Sequence, residues 1–382
     1  MGKLRFEPSR PSTLGVEVEL FIVDKQTRQL ANAASAVIER VSDSPLASGA
    51  PRVKHEAFEH TVEIVTDVCT TPAEAQADLQ ATLDLVHDAA DSLGLDVVSC
   101  GTHPFTDWRK AELTPDDRYR DQLDEVQWIA RRAQICSVHY HVGVDGADKA
   151  IATINRLMFY HPFFLALSSS SPFYEGDDTG LASSRTTVLE AMPTAGFPHM
   201  LKDWDEFAHM YSSLHSAGAI AGIREIWWDV RPHPEFGTVE LRMCDGLATM
   251  GEISAVAALA QCLVRRIGDS IDAGEEVPTP PRWILRENKW LAARYGLDAQ
   301  IVVDDKGHRE TLRDTIRPLL ERVAPHAEML GCTDDLARVA DVLDHGASYE
   351  RQRQVVADGG NLSDVVDNLV VELKSGVPRG VG

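Results

Sequence analysis

The sequence predicts an α+β fold on a mainly antiparallel β-sheet, flanked by helices and followed by a helical C-terminal part. Three observations carry this. Short runs alternating apolar and polar residues dominate the first two-thirds of the chain, turns or single helices separate them, and apolar residues at helical spacing take over after Gly251.

Residues 14–23 (LGVEVELFIV) alternate Val16, Val18 and Leu20 with Glu17 and Glu19, the period-two pattern of a strand with one apolar face. A second strand is expected over 61–66. Pro72 opens a helical pattern over 73–93, Gly94 stops it, and 95–100 reads as a strand. Residues 121–133 read as one helix and 135–144 (ICSVHYHVGV) as a strand. A helix over 149–167, interrupted near Pro162, leads into a small-residue loop over 168–185, either a functional loop or a loose connection. Strands are expected over 224–230 and 237–243, joined by the turn-forming RPHPEF. Helices follow over 252–271 and, beyond a Pro-rich VPTPP break, over 283–295, with three more to about Leu373 and a frayed tail from Lys374. The chain reads as a single domain over 1–382, with about 12–300 forming the catalytic sheet and its helices and about 301–375 a helical part packed on it.

At 382 residues and 44% hydrophobic content, the chain can bury a large core without staples. Lys and Arg number 37 against 59 Asp and Glu, a net charge of −22, which argues against a nucleic-acid or anionic-membrane partner. No run approaches the roughly 18 apolar residues of a membrane span, and the start MGKLRFEPSR has no signal-peptide core, so a cytoplasmic protein is expected. The six cysteines lack zinc spacing and read as buried thiols.

Neither a G-x-x-x-x-G-K-[ST] loop nor a G-x-G-x-x-G turn is present, so any nucleotide must be held without those backbone cradles. What the chain offers instead is three strands that each place two polar groups on one face: Glu17 and Glu19, His139 and His141, Glu240 and Arg242. Residues two apart on a strand lie about 6.6 Å apart on one side, so both carboxylates of the first pair can address one cation cluster. Glu63, on a neighbouring strand, adds a third. Each pair alone also reads blandly, as a solvated strand face, a hydrogen-bonded pair beside the core, or a cross-strand ion pair. Together they suit a metal–nucleotide site, in which carboxylates hold divalent cations, histidine meets metal or phosphate, and arginine neutralises a phosphoryl group in transfer. No Ser/His/Asp or Cys/His arrangement competes.

These pairs and the text around them resemble the glutamate–cysteine ligase type 2 family, the YbdK-like carboxylate–amine ligases with a glutamine synthetase-like catalytic fold. The resemblance rests on TLGVEVEL from Thr13, VEIVTDVCT from Val62, CSVHYHVGV from Cys136, SPFYEGDDTGLASSR from Ser171, WDVRPHPEFGTVELRMCD from Trp228 and ENKWLAARYGLD from Glu287, in the family's order. It implies an ATP-dependent ligase that activates a carboxylate, plausibly the γ-carboxylate of glutamate, as an acyl phosphate and joins it to an amine such as that of cysteine. By position, it implies that Glu17, Glu19, Glu63, Glu240 and His139 ligate Mg²⁺ or Mn²⁺. His139 and His141 would sit at the metal and the ATP phosphates, Arg242 at the transferred phosphoryl group, and Arg231 and Arg185 at phosphate or the substrate carboxylate. The sequence departs from the family in Lys289 and Leu291, where arginine is usual, and in Tyr140, where a smaller residue is usual. A phosphotransferase on the same scaffold, a non-catalytic nucleotide-binding homologue and a two-metal hydrolase stay open, as does a homodimer.

Overall fold

The structure, a computed structural model, describes residues 4–44, 52–276 and 280–379. In chain order its strands are β1 (Leu14–Asp24), β2 (Val53–His55), β3 (Thr61–Val65), β4 (Leu95–Val98), β5 (Ser137–Gly143), β6 (Phe173–Tyr174), β7 (Asp177–Asp178), β8 (Val230–His233), β9 (Thr238–Asp245), β10 (Gln300–Val302) and β11 (Arg309–Thr311). Seven of them form one sheet in the order β2-β3-β1-β5-β9-β8, with β4 paired to the end of β1, and every pairing is antiparallel. The expected α+β class, with an antiparallel sheet and a helical end, is what the chain adopts.

Alternation along the strands decides which side is core. Val16, Val18, Leu20 and Ile22 of β1, Val62 and Ile64 of β3, Val138, Tyr140 and Val142 of β5, and Val239 and Leu241 of β9 are all buried in one apolar cluster. Helices Pro72–Ser92 and Met250–Asp272 cover that face; each starts on a threonine-glutamate capping box that satisfies first-turn N–H groups, Thr71 with Glu74 and Thr249 with Glu252. Tyr140 therefore points away from the two histidines that flank it. Its hydroxyl donates to the Ile253 carbonyl at 3.2 Å.

At the far end of the other face, Phe21, Val23 and Val98 pack against Val365, Val366, Leu369 and Val370 of helix Leu362–Ser375, leaving the centre of that face to polar groups. Arg351 ties the C-terminal helices to Met250–Asp272. Its guanidinium, 1% exposed, reaches Glu372 at 2.8 Å, Glu252 at 2.9 Å and the Gly346 carbonyl at 2.5 Å.

Several boundaries differ from the sequence expectation. The strand expected over 224–230 begins only at Val230 and runs through Arg231, Pro232 and His233, the residues expected as a turn. β8 is an edge strand, where a proline's missing N–H costs no ladder hydrogen bond. The turn proper is Pro234–Gly237, and Gly237 is required there: its φ is +64° and a Cβ would lie 2.1 Å from the Glu7 carbonyl. The helix expected over 121–133 is two, Asp117–Val126 and Trp128–Arg132, broken at Gln127 with φ +58°. Pro162 starts a new helix, His161–Ser168, at a position where its absent N–H is harmless. Four helices, not three, close the chain after β11: Leu312–Leu330, Thr333–His345, Ser348–Ala357 and Leu362–Ser375. The frayed tail is overturned at its start, because Lys374 bonds Asp96 at 2.5 Å and the Arg379 N–H reaches Glu372 at 2.7 Å. Part of the VPTPP break lies outside the described residues. All six cysteines are buried and free, and no described helix is long and apolar enough to cross a membrane.

Replacing Arg351 by methionine strands the Glu252 and Glu372 carboxylates without their cation, so urea unfolding of Arg351→Met is expected to show a loss of about 3–5 kcal/mol. A loss below about 1 kcal/mol would mean the triad carries no such role.

Candidate active site

Register brings the polar pairs together on the face opposite the core. Glu17 pairs with His139 across β1 and β5, Glu19 with Glu63 across β1 and β3, His141 with Glu240 across β5 and β9, and Glu240 with Arg231 across β9 and β8. Because partners in register share a face, seven side chains from five strands converge. An irregularity opposite Val138 to Tyr140 gives β9 one residue more than β5 there, and Arg242 falls within that stretch.

One ligand atom each from Glu17, His139 and Glu240 lies within 4.8 Å of the others, the only such group among the described residues. His139 Nδ1 is 3.2 Å from Glu17 and its Nε2 is 2.9 Å from the Ser137 hydroxyl. Ser137 in turn donates to Glu19 through its N–H at 2.6 Å and its Oγ at 2.8 Å. His141 Nδ1 meets the Thr238 hydroxyl at 3.0 Å, while its buried Nε2 has no hydrogen bond and faces Glu17 at 3.6 Å.

The electrostatics divide the site in two. On the β9 side, burial opposes the charge of Glu240, but Arg231 and Arg242 outweigh it and hold that carboxyl well below its usual range. Burial likewise opposes the charge of Glu17, and the two imidazoles facing it, His139 at hydrogen-bond distance and His141 at 3.6 Å, overcome it. On the β3 side nothing plays this part. Burial, then the charges of Glu17 and Glu56, push Glu63 well above the usual carboxylate range, and Lys54, at 3.3 Å, does not offset them. Glu56, in the turn between β2 and β3, is raised to about 8 by loss of hydration and by Glu19. Carboxylates crowded until they resist ionisation, beside a histidine nitrogen lacking a partner, are the donor set a hard divalent cation accepts. The residues fit such an ion.

The three arginines are placed differently. Arg242 bonds Glu240 at 2.5 Å, and its buried Nε has no partner. Arg231 is fully engaged: Nε and one terminal nitrogen grip Glu240 at 2.6 and 3.1 Å, and the other bonds the carbonyls of Ile223, Arg224 and Ile226. Arg185, 2% exposed, bonds none of the Glu17, Glu19, Glu63 and Glu240 carboxylates; it donates to the Arg242 carbonyl at 3.2 Å and lies 3.9 Å from Asp245.

The loop over 168–185 is neither loose nor free. Asp245 accepts from the Ser170 N–H at 3.0 Å, the Ser171 hydroxyl at 2.6 Å and the Ser183 hydroxyl at 2.8 Å, pinning both ends and leaving exposed mainly the ribbon made by β6 and β7. Glu56, Ser137 and Asp245 escaped the sequence reading. Glu56 lies outside any alternating strand, and a serine or aspartate next to a motif carries no signal of its own.

With this geometry in place, comparison with known proteins is decisive. Residues 13–368 match the model of glutamate–cysteine ligase family 2. The chain belongs to this family. It is accordingly an enzyme of the ATP-dependent carboxylate–amine ligase class. Curated relatives include a provisionally named glutamate–cysteine ligase 2-1 of Frankia alni, 50% identical over 98% of this chain and 99% of the relative, and a provisionally named glutamate–cysteine ligase 2 of Thermobifida fusca, 47% identical over 98% and 94%. Among solved structures, the fold of this family 2 ligase is similar to that of a glutamate–cysteine ligase from Francisella tularensis in complex with AMP, with a TM-score of 0.68 at 13% identity, covering 97% of this chain and 90% of that one. A bifunctional glutathione synthetase from Pasteurella multocida gives 0.66 at 13% identity, covering 95% of this chain and 52% of that one. The α+β architecture on a mainly antiparallel sheet, expected from the sequence, is the one this ligase has.

If the carboxylate face takes a divalent cation, Mn²⁺ at about 100 times its dissociation constant is expected to stabilise the protein by about 2.7 kcal/mol, read as a rise in melting temperature without nucleotide. Glu17→Gln should remove most of that rise; an equal rise in the variant would place the ion elsewhere.

Proposed function

We propose that this protein is an ATP-dependent glutamate–cysteine ligase, joining the γ-carboxylate of glutamate to the amine of cysteine with release of ADP and phosphate. The observation that carries the reading is the convergence of Glu17, His139 and Glu240 beside Arg242, on a face that excludes much of the solvent. The names of the relatives support the same substrates.

In this reading Glu17, Glu19, Glu63, Glu240 and His139, together with Glu56, hold Mg²⁺ or Mn²⁺, and His139 and His141 face the triphosphate. Bound there, the cations would supply charge neutralisation to the phosphates. Arg242, held in line by Glu240, keeps its unpartnered Nε for the oxygen atoms of the phosphoryl group in transfer. A substrate carboxylate oxygen attacks the terminal phosphorus, ADP departs, and the amine then attacks the acyl carbon and expels phosphate. Arg231 is better suited to fixing Glu240 than to meeting phosphate, since its guanidinium nitrogens are already bonded. Arg185 would support Arg242 from behind by holding its carbonyl. The setting is the cytoplasm, where ATP is available and six free thiols persist.

The test is ADP release by the purified protein with Mg²⁺ or Mn²⁺ against twenty amino acids, singly and in pairs. Glutamate with cysteine is expected to give turnover above every other pair. ATP consumption with one amino acid, a stable phosphorylated product and no need for an amine would establish a phosphotransferase instead. Glu19→Gln and Glu240→Gln are each expected to abolish turnover, at least 1000-fold, with the far-ultraviolet circular dichroism unchanged; wild-type rates in either would remove the site assignment.

A further inference from the structure

Ser137, His139 and His141 occupy alternate positions of β5, so they share the polar face, and the two imidazoles are anchored there in opposite senses. His139 is held through Nε2, 2.9 Å from the Ser137 hydroxyl, and turns Nδ1 to one oxygen of Glu17 at 3.2 Å. His141 is held through Nδ1, 3.0 Å from the Thr238 hydroxyl, and turns Nε2 to the other oxygen of Glu17 at 3.6 Å. Each ring thus sets one nitrogen on a hydroxyl and the other on the same carboxylate. Which nitrogen carries the proton decides which one can ligate a cation.

For His139 the donors and acceptors can be counted. The Ser137 hydroxyl has one hydrogen, and the Glu19 carboxylate, which only accepts, lies 2.8 Å from it. With that hydrogen given to Glu19, the Ser137 oxygen is an acceptor toward His139, and Nε2 carries the proton that fills the 2.9 Å contact. The lone pair of a neutral ring is then on Nδ1, in front of Glu17 and 3.4 Å from a terminal nitrogen of Arg242. Ser137 acts on Glu19 as well. Its N–H at 2.6 Å and its hydroxyl both go to Oε2, so Oε1 forms no hydrogen bond among the described residues. Ser137 has little freedom to follow either partner: it is 3% exposed, pairs with Asp245 across β5 and β9, and follows a Cys136 whose carbonyl accepts the Gly246 N–H at 3.2 Å.

We propose that Ser137 is a positioning residue of the cation site: by passing its hydrogen to Glu19 it fixes the Nε2–H form of His139, makes Nδ1 the nitrogen offered to a divalent cation, and holds Glu19 by one oxygen with the other left for the ion. A ligating histidine whose second nitrogen is bonded keeps one tautomer and one ring orientation. Alanine at this position keeps the N–H to Glu19 but frees the imidazole to take the other tautomer and donate from Nδ1 to Glu17, which withdraws both groups from the ion.

This inference rests on the reading that the carboxylate face binds Mg²⁺ or Mn²⁺, and the test separates the two. Mn²⁺ affinity of the full-length protein is measured without nucleotide by electron paramagnetic resonance. The tautomer of His139 is read, with metal chelated, by nitrogen NMR of protein labelled at histidine, above the pH range in which histidine is charged, the signals being assigned by their loss in His139→Gln. Wild type is expected to carry the His139 proton on Nε2. Ser137→Ala is expected to move it to Nδ1, leave the tautomer of His141 unchanged and weaken Mn²⁺ at least about tenfold, whereas Ser137→Thr, which keeps the hydroxyl, stays within about threefold of wild type. A wild-type His139 protonated on Nδ1, or a Ser137→Ala protein that binds Mn²⁺ within about threefold of wild type, overturns the role of Ser137 while leaving the cation site standing. A wild-type protein that binds no Mn²⁺ overturns the cation site itself, and this inference with it.

Discussion

Concentrating carboxylates on one half-buried sheet face is unfavourable unless something positive meets them, and most of the surrounding structure answers that demand. Glu240 is held between Arg231 and Arg242, Glu17 is met by His139 and His141, and Glu19 takes two hydrogen bonds from Ser137. Glu56 and Glu63 are buried in each other's field, and neither Arg118 near the first nor Lys54 near the second offsets this, so their ionisation is resisted. In the proposed reading a divalent cation would supply the missing charge without adding protein.

The scaffold serves this arrangement by keeping the two faces of the sheet apart. β1 and β5 send valine, leucine and tyrosine to the helical side and glutamate and histidine to the other, and a one-residue shift in either strand would exchange them. Register is fixed by pairing on both flanks: Leu14 to Val18 against β5 and Glu17 to Phe21 against β3. Asp245 extends the order beyond the sheet by gathering three hydroxyl and N–H donors from the loop over 168–185, so Arg185 reaches the back of Arg242 from a fixed base. Helix Leu362–Ser375 closes the end of the polar face, and Arg351 joins that closure to the helix under the sheet.

Alternation within single strands was enough to place Glu17, Glu19, His139, His141, Glu240 and Arg242, because a period of two leaves each pair one possible face. Where function is carried by residues outside such strands, the sequence was silent. Glu56 reaches the cluster only through the chain reversal between β2 and β3, and the Asp229–Lys289 contact spans 60 residues. β8 was displaced in the sequence reading because proline in RPHPEF signals a turn; only the sheet order reveals that the strand lies at an edge, where proline is tolerated. Arg231 changed character for a related reason, since its engagement by Glu240 and three carbonyls depends on the chain folding back over 223–226.

The most direct test of the central claim is anomalous diffraction at the manganese edge from crystals grown with Mn²⁺ and a non-hydrolysable ATP analogue. The account predicts a peak within about 2.6 Å of Glu17, His139 and Glu240 oxygen or nitrogen atoms, with analogue phosphate on its open side. Manganese bound elsewhere, with those three side chains unliganded beneath an ordered nucleotide, would contradict it.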